Sequence, residues 1–124
     1  MAGKVTHKLS PAKFRIFFGG EIAMGPGKAD MLEAIRTSGS ISEAARQLGM
    51  SYKRGWNLVD TMNRCFREPV VDTATGGGGG GGARLTPFGE RVLAHFRSME
   101  TRADTAIRAD LTAFAALLAD KPRG

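Results

Sequence analysis

Residues 40–58, Ser-Ile-Ser-Glu-Ala-Ala-Arg-Gln-Leu-Gly-Met-Ser-Tyr-Lys-Arg-Gly-Trp-Asn-Leu, constrain this chain more than any other stretch. Ser40 carries a side-chain oxygen able to cap a helix, and Glu43 occupies the capping-box position three residues later. Ile41, Ala44, Ala45 and Leu48 then recur on one helical face, with two alanines small enough to let a second helix come close. Gly49 suits the end of that helix because it accepts positive φ without a Cβ clash. Ser51 can cap the next helix and leaves Tyr52, Lys53 and Arg54 at its exposed start. A helix, a tight turn and a second helix with a basic first turn form a helix-turn-helix, whose second helix enters the DNA major groove N-terminus first.

The second helix of the pair divides into two faces. Tyr52, Gly55, Trp56, Val59, Met62 and Phe66 make a mostly apolar stripe, and Lys53, Arg54, Asn57, Thr61 and Arg64 lie opposite. Arg and Lys suit guanine O6 and N7, and Asn suits adenine N6 and N7, so Lys53, Arg54 and Asn57 are the candidate base readers. Gly55 stands where a branched apolar residue is usual, and Trp56 is expected to supply the packing in its place. A solvated basic face on an ordinary helical hairpin is the competing interpretation of the same residues.

The 124 residues suit one domain, 1–124, with a single modest core. A net charge of +6 favours a polyanionic partner. That excess sits at the ends: residues 1–30 hold five Lys/Arg against two acids, residues 76–124 seven against five, and the middle six against five. A DNA-binding face must therefore come from placement of charges. Cys65 is the only cysteine, which excludes an internal disulfide, and it is expected to be a buried thiol. No apolar run is long enough for a membrane span and no signal peptide is visible, so a cytoplasmic, nucleoid-associated protein is expected. His7 and His95 have no ligand-spaced partners, and no carboxylate pair or nucleophile–His pair stands at useful spacing. No metal, cofactor or catalytic site is assigned, and an enzyme is not expected.

Outside the motif, Lys13–Phe18 and Glu21–Met24 flank Gly19-Gly20 and predict a hairpin. Lys28–Thr37 predicts a first helix closed by Gly39, and Pro69 is expected to end the second motif helix. Val70–Asp72 and Ala83–Leu85 bracket seven consecutive glycines, Gly76–Gly82, as the two strands of a wing whose bare backbone could lie against a sugar–phosphate surface. A disordered tip without a partner is the bland alternative; a nucleotide-binding glycine loop lacks the Lys-Ser/Thr it would need. Thr86 and Pro87 start a last helix over about 86–120, where Phe88, Val92, Phe96, Met99, Ala103, Ile107, Leu111, Phe114 and Leu118 form one stripe. Residues 90–120 hold no Gly or Pro, and an unbroken helix there would be about 45 Å long, more than a small core can cover. Pairing with a second copy through Phe96, Met99, Ile107, Leu111, Phe114 and Leu118 is expected, with folding back into two shorter helices as the alternative. The fold class is mainly α with small β-hairpins: a winged helix-turn-helix with a long C-terminal dimerisation helix.

Residues 38–96 resemble the N-terminal DNA-binding domain of the ModE family of molybdate-responsive transcription regulators. Ser38-Gly39-Ser40-Ile41-Ser42, Ser51-Tyr52-Lys53 with Trp56, Met62-Asn63, and Ala74-Thr75-Gly76-Gly77 with Ala83, Leu85-Thr86 and Phe88-Gly89 carry the likeness. The resemblance implies a DNA-binding regulator acting as a homodimer on a pseudo-palindromic operator. Lys53, Arg54 and Asn57 would read bases, Tyr52 would lie at the interface, and Ser40, Ser42, Ser51, Thr73, Arg84 and Thr86 would meet phosphates. Full-length members continue into two small β-domains that bind molybdate, whereas this sequence stops at Gly124, so molybdate binding is not expected within it. A winged helix converted to protein docking, without sequence-specific DNA binding, is the alternative function.

Overall fold

The computed structural model describes residues 13–74 and 82–124. His7 and the glycine run up to Gly81 lie outside them. Contacts group the chain into one unit of Phe14–Arg97 and a second that contains Ser98–Gly124.

In the first unit, strands β1 (Ile16–Phe18) and β2 (Glu21–Met24) pair antiparallel, with Phe18 opposite Glu21 and a register shift after Ile16. Gly19 and Gly20 both take positive φ, +59° and +85°, as a two-residue turn matched to strand twist requires. Helix α1 (Pro26–Ser38) begins earlier than its apolar periodicity suggests, because Pro26 fits the first helical position, where no N–H is needed. Gly39 closes it in the left-handed region, its N–H donating to the Ile35 carbonyl at 2.8 Å.

Helices α2 (Ile41–Gln47) and α3 (Tyr52–Cys65) form the expected helix-turn-helix. Ser40 Oγ accepts the Glu43 N–H at 2.8 Å, and Ser51 Oγ accepts the Arg54 N–H at 3.1 Å. Only half of the capping box forms. The Glu43 carboxylate turns to Arg46, and the Ser40 N–H donates to Ser38 Oγ at 3.3 Å. Helix α3 stops at Cys65, short of Pro69. Phe66 is already extended, and the Asn63 side chain draws the chain back, accepting the Val70 N–H at 2.8 Å and donating to the Val71 carbonyl at 3.2 Å.

The core joins Met31, Leu32 and Ile35 of α1 to Ile41, Ala44 and Ala45 of α2 and Val59 and Met62 of α3. Each such large side chain stabilises the fold by about 1.5–3 kcal/mol relative to exposure. Gly55 packs where the three helices meet: a Cβ there would lie 3.0 Å from both Ala45 Cβ and Met31 Cε. The expectation that Trp56 fills this place is corrected. Close helix approach and the Met31 methyl fill it, and Trp56 is 36% exposed. Cys65 is half-buried, not the fully buried thiol expected.

Strands β3 (Val71–Thr73) and β4 (Ala83–Leu85) pair antiparallel with Asp72 opposite Arg84. The Ala83 N–H donates to the Gly39 carbonyl at 2.8 Å, fixing this wing to the end of α1. Helix α4 (Pro87–Ala115) is one unbroken 29-residue helix, so it does not fold back into two. Its first part belongs to the core through Leu93 and through Phe96, whose ring lies 5.2 Å from that of Phe14. Arg97 binds Asp30 at 2.8 Å and Glu33 at 3.1 Å, and Arg36 binds Glu90 at 2.9 Å, tying α4 to α1.

In the second unit the helix ends at Ala115 and relaxes into turns, with the Leu118 N–H donating to the Ala115 carbonyl at 3.1 Å. Leu118 therefore lies beyond the helix that was expected to reach about residue 120. Among the described residues, no helix is long and apolar enough to cross a membrane.

Candidate nucleic-acid interface

Helix α3 buries Gly55, Val59 and Met62 and exposes Lys53, Arg54 and Asn57 on the other side. Ser51 sets its start, so Lys53 and Arg54 occupy the first turn. Among the described residues neither the Lys53 ammonium nor the Arg54 guanidinium meets a carboxylate. Tyr52 and Trp56, placed on the core stripe by periodicity, are exposed instead, and the Trp56 indole N–H donates to the Tyr52 hydroxyl. The tight approach at Gly55 leaves no room for an indole between α2 and α3. The two rings instead flank the basic tip as a bonded pair, and Leu58 packs against the core.

The far half of α3 is electrostatically closed. Arg64 donates to Glu21 of β2 at 2.6 Å and to Asp60 at 3.0 Å. These hydrogen bonds raise the Arg64 pKa, and the Arg64 hydrogen bond and charge hold the Glu21 carboxyl below the usual carboxylate value. Arg64 is thus a strut between hairpin and helix. Positive charge able to meet an anion is concentrated at the N-terminal half of α3, the end that leads into a groove.

The remaining expected contacts fall into two groups. Ser42, Ser51, Thr73 and Arg84 are exposed, and Ser40 is half-exposed. Thr73, Arg84, Gly82 and Gly39 line one shallow cleft of about 460 Å³ where the wing meets the turn before α2. Thr86 differs. Its hydroxyl proton goes to the Pro69 carbonyl at 2.7 Å and its oxygen accepts the Gly89 N–H at 2.8 Å. A hydroxyl has one proton to give, so Thr86 serves as the cap of α4 and has none for a phosphate.

Of the residues expected to pair two copies, Phe96 is 2% exposed inside the core. It is corrected to a core residue. Met99, Phe114 and Leu118 are exposed at 43%, 55% and 41%, and Ile107 and Leu111 are half-buried. The structural roles of two residues of the first unit escaped the sequence reading. Asn63 clasps the strand after α3, and Lys28 stands half-buried near the charge of Arg54. No spacing rule signals either, because their partners are distant in sequence.

No protein-family model matches the chain. It is 48% identical over 77 residues to the molybdenum-pterin-binding protein MopB of Rhodobacter capsulatus, a match covering 62% of this chain and 28% of that protein. It is 40% identical over 85 residues to the molybdenum transport protein ModE of Azotobacter vinelandii, covering 68% of this chain and 32% of the relative. It is 44% identical over 68 residues to the DNA-binding transcriptional dual regulator ModE of Escherichia coli K12, covering 55% and 26%. The matches span less than a third of the length of each of these relatives. Over that shared stretch the chain is similar in sequence to ModE and Mop proteins, and its two hairpins and long last helix form a winged-helix arrangement.

Proposed function

We propose that this chain binds double-stranded DNA as the reading part of a transcription regulator, as a homodimer on a pseudo-palindromic operator linked to molybdenum metabolism. Lys53, Arg54 and Asn57 contact base edges, with Tyr52 beside them, and Ser40, Ser42, Ser51, Thr73 and Arg84 contact the backbone. Such a role places the protein with the chromosome in the cytoplasm. The observation that carries this reading is the first turn of α3. Its cations lack a carboxylate partner among the described residues, as do Arg15, Lys28, Arg84 and Arg91, whereas Arg36, Arg46 and Arg97 and the far-end Arg64 of the same helix are ion-paired. The relative described as a DNA-binding transcriptional regulator supports it.

Selection of duplexes from a random pool, followed by gel-shift titration, tests the reading. A two-fold symmetric preferred sequence is the expected outcome. Arg54→Ala should cost about 1–3 kcal/mol and relax preference at one position. A loss spread evenly over all sequences would make Arg54 a phosphate contact instead.

Phe17 and Phe18, 69% and 63% exposed on β1, favour a second reading, a protein-docking winged helix. Failure to enrich any duplex, with retained fold, would select it. The proposal includes no molybdate site in these residues. Calorimetric titration with molybdate should register no binding heat.

A further inference from the structure

Tyr52 is the only tyrosine of the chain and Trp56 the only tryptophan, and both stand exposed at the start of α3. Four residues apart, they leave the helix within about 40° of each other around its axis. The Trp56 indole N–H donates to the Tyr52 hydroxyl oxygen. An indole nitrogen only donates, whereas a phenol both donates and accepts. The bond therefore satisfies the indole and leaves the Tyr52 proton to find an acceptor away from Trp56. Among the described residues, no acceptor takes it. The pair is a single exposed donor held in place by a ring that has no donor left of its own.

Position on α3 narrows what that acceptor can be. Around the axis, Tyr52 lies about 20° from the buried Val59, but about 100° from Lys53 and 140° from Asn57. It continues the buried stripe past Gly55, the first buried member, onto the free N-terminal end of the helix. A helix that turns Lys53 and Asn57 to the groove floor sets Tyr52 against the groove wall, where the sugar–phosphate strand runs. Phosphate oxygens accept and never donate, so a lone hydroxyl proton matches them, and a bond to a charged acceptor is among the stronger kinds. We propose that the Tyr52 hydroxyl donates to a phosphate oxygen at the groove wall, and that Trp56 is the positioning residue that fixes it for that contact. The assignment rests on the DNA-binding reading above. The contact sets the register of α3 and carries no base information.

The test titrates the full 124-residue chain, Tyr52→Phe, Trp56→Phe and the double variant with a selected duplex and a random-sequence duplex across a salt series. Tyr52→Phe keeps the ring and deletes only the hydroxyl. It should weaken both duplexes equally, by about tenfold or more, with base preference unchanged. The slope of log affinity against log salt should also stay as in wild type, because a neutral donor displaces no counterion. Trp56→Phe should lose part of the same affinity, and the double variant should bind no worse than Tyr52→Phe, since Trp56 acts only through the hydroxyl. Emission from Trp56 in the wild-type chain should shift when either duplex saturates it, which keeps the test decisive should Trp56→Phe fold poorly. Wild-type affinity in Tyr52→Phe, or an unmoved emission, overturns the contact and leaves the DNA reading standing. A loss confined to one operator position makes Tyr52 a base contact and overturns the phosphate assignment. Losses that add in the double variant overturn the positioning role of Trp56. A wild-type chain that binds no duplex overturns both readings.

Discussion

A Cβ at Gly89 would stand 2.1 Å from the Val70 carbonyl oxygen and 2.9 Å from its carbon. Both atoms are backbone in the strap that leads into β3, so no rotamer change relieves the clash. The start of α4 would have to lift, breaking the Thr86 cap and the Thr86 N–H to Val70 carbonyl bond of 3.0 Å. Overpacking typically costs about 1–3 kcal/mol, more where backbone must shift. Gly89→Ala should therefore lower Tm by about 10 °C or more. An unchanged melting curve would show that the helix start is not held against Val70. Gly55 poses a milder problem. An added methyl would press on the movable end of Met31 and on Ala45, while gaining up to about 1 kcal/mol of helix propensity. Gly55→Ala should be nearly neutral and Gly55→Val clearly destabilising, a contrast that thermal melts of both variants would expose.

Between elements, the Arg64 strut gives a pH signature. The Glu21 carboxyl is depressed by Arg64, so the contact contributes stability above the ordinary carboxylate pKa and loses it as pH falls through the lowered folded value. Glu21→Gln should melt below wild type at neutral pH and converge with it in acid. Parallel melting curves from pH 7 to pH 2 would mean that the hairpin gains nothing from Arg64. The Asn63 clasp works at the same scale: one carboxamide bonds Val70 and Val71 and thereby ends α3 early and aims the wing. Asn63→Ala would leave these groups unpaired at a cost of about 1–3 kcal/mol, with Asn63→Asp recovering only the accepted bonds. Equal melting of Asn63→Ala and wild type would remove the clasp from the account.

For the whole molecule, assembly turns on the apolar residues of the second unit. Met99, Ala103, Ile107, Leu111, Phe114 and Leu118 recur at spacings of three and four, and Met99, Phe114 and Leu118 are more than a third exposed. Under the proposed homodimer, Asp at both Ile107 and Leu111 yields a monomer. Half-sites would then be bound separately, forfeiting an effective-concentration gain that can reach about a hundredfold. Sedimentation of the wild-type chain as a monomer at all concentrations would overturn this proposal.

Local grammar is legible in the residues alone: the Gly19-Gly20 turn, the Ser40 and Ser51 caps, the Gly39 and Gly49 stops, and the Thr86-Pro87 helix start. Each of these depends on a side chain or a positive φ acting within a few residues, so spacing alone reveals it. Tertiary structure decided what periodicity left open. Tyr52 and Trp56 stand on the apolar stripe by count, yet only the width of the gap at Gly55 says which stripe residues enter it. Phe96 continues the pairing stripe by count, yet Phe14, far away in sequence, takes it into the core. Arg64 looks like any other cation on the polar face until folding brings Glu21 within 2.6 Å. Helical spacing specifies direction around an axis; which neighbour stands in that direction, and how near, is settled only by the packing of segments distant in sequence.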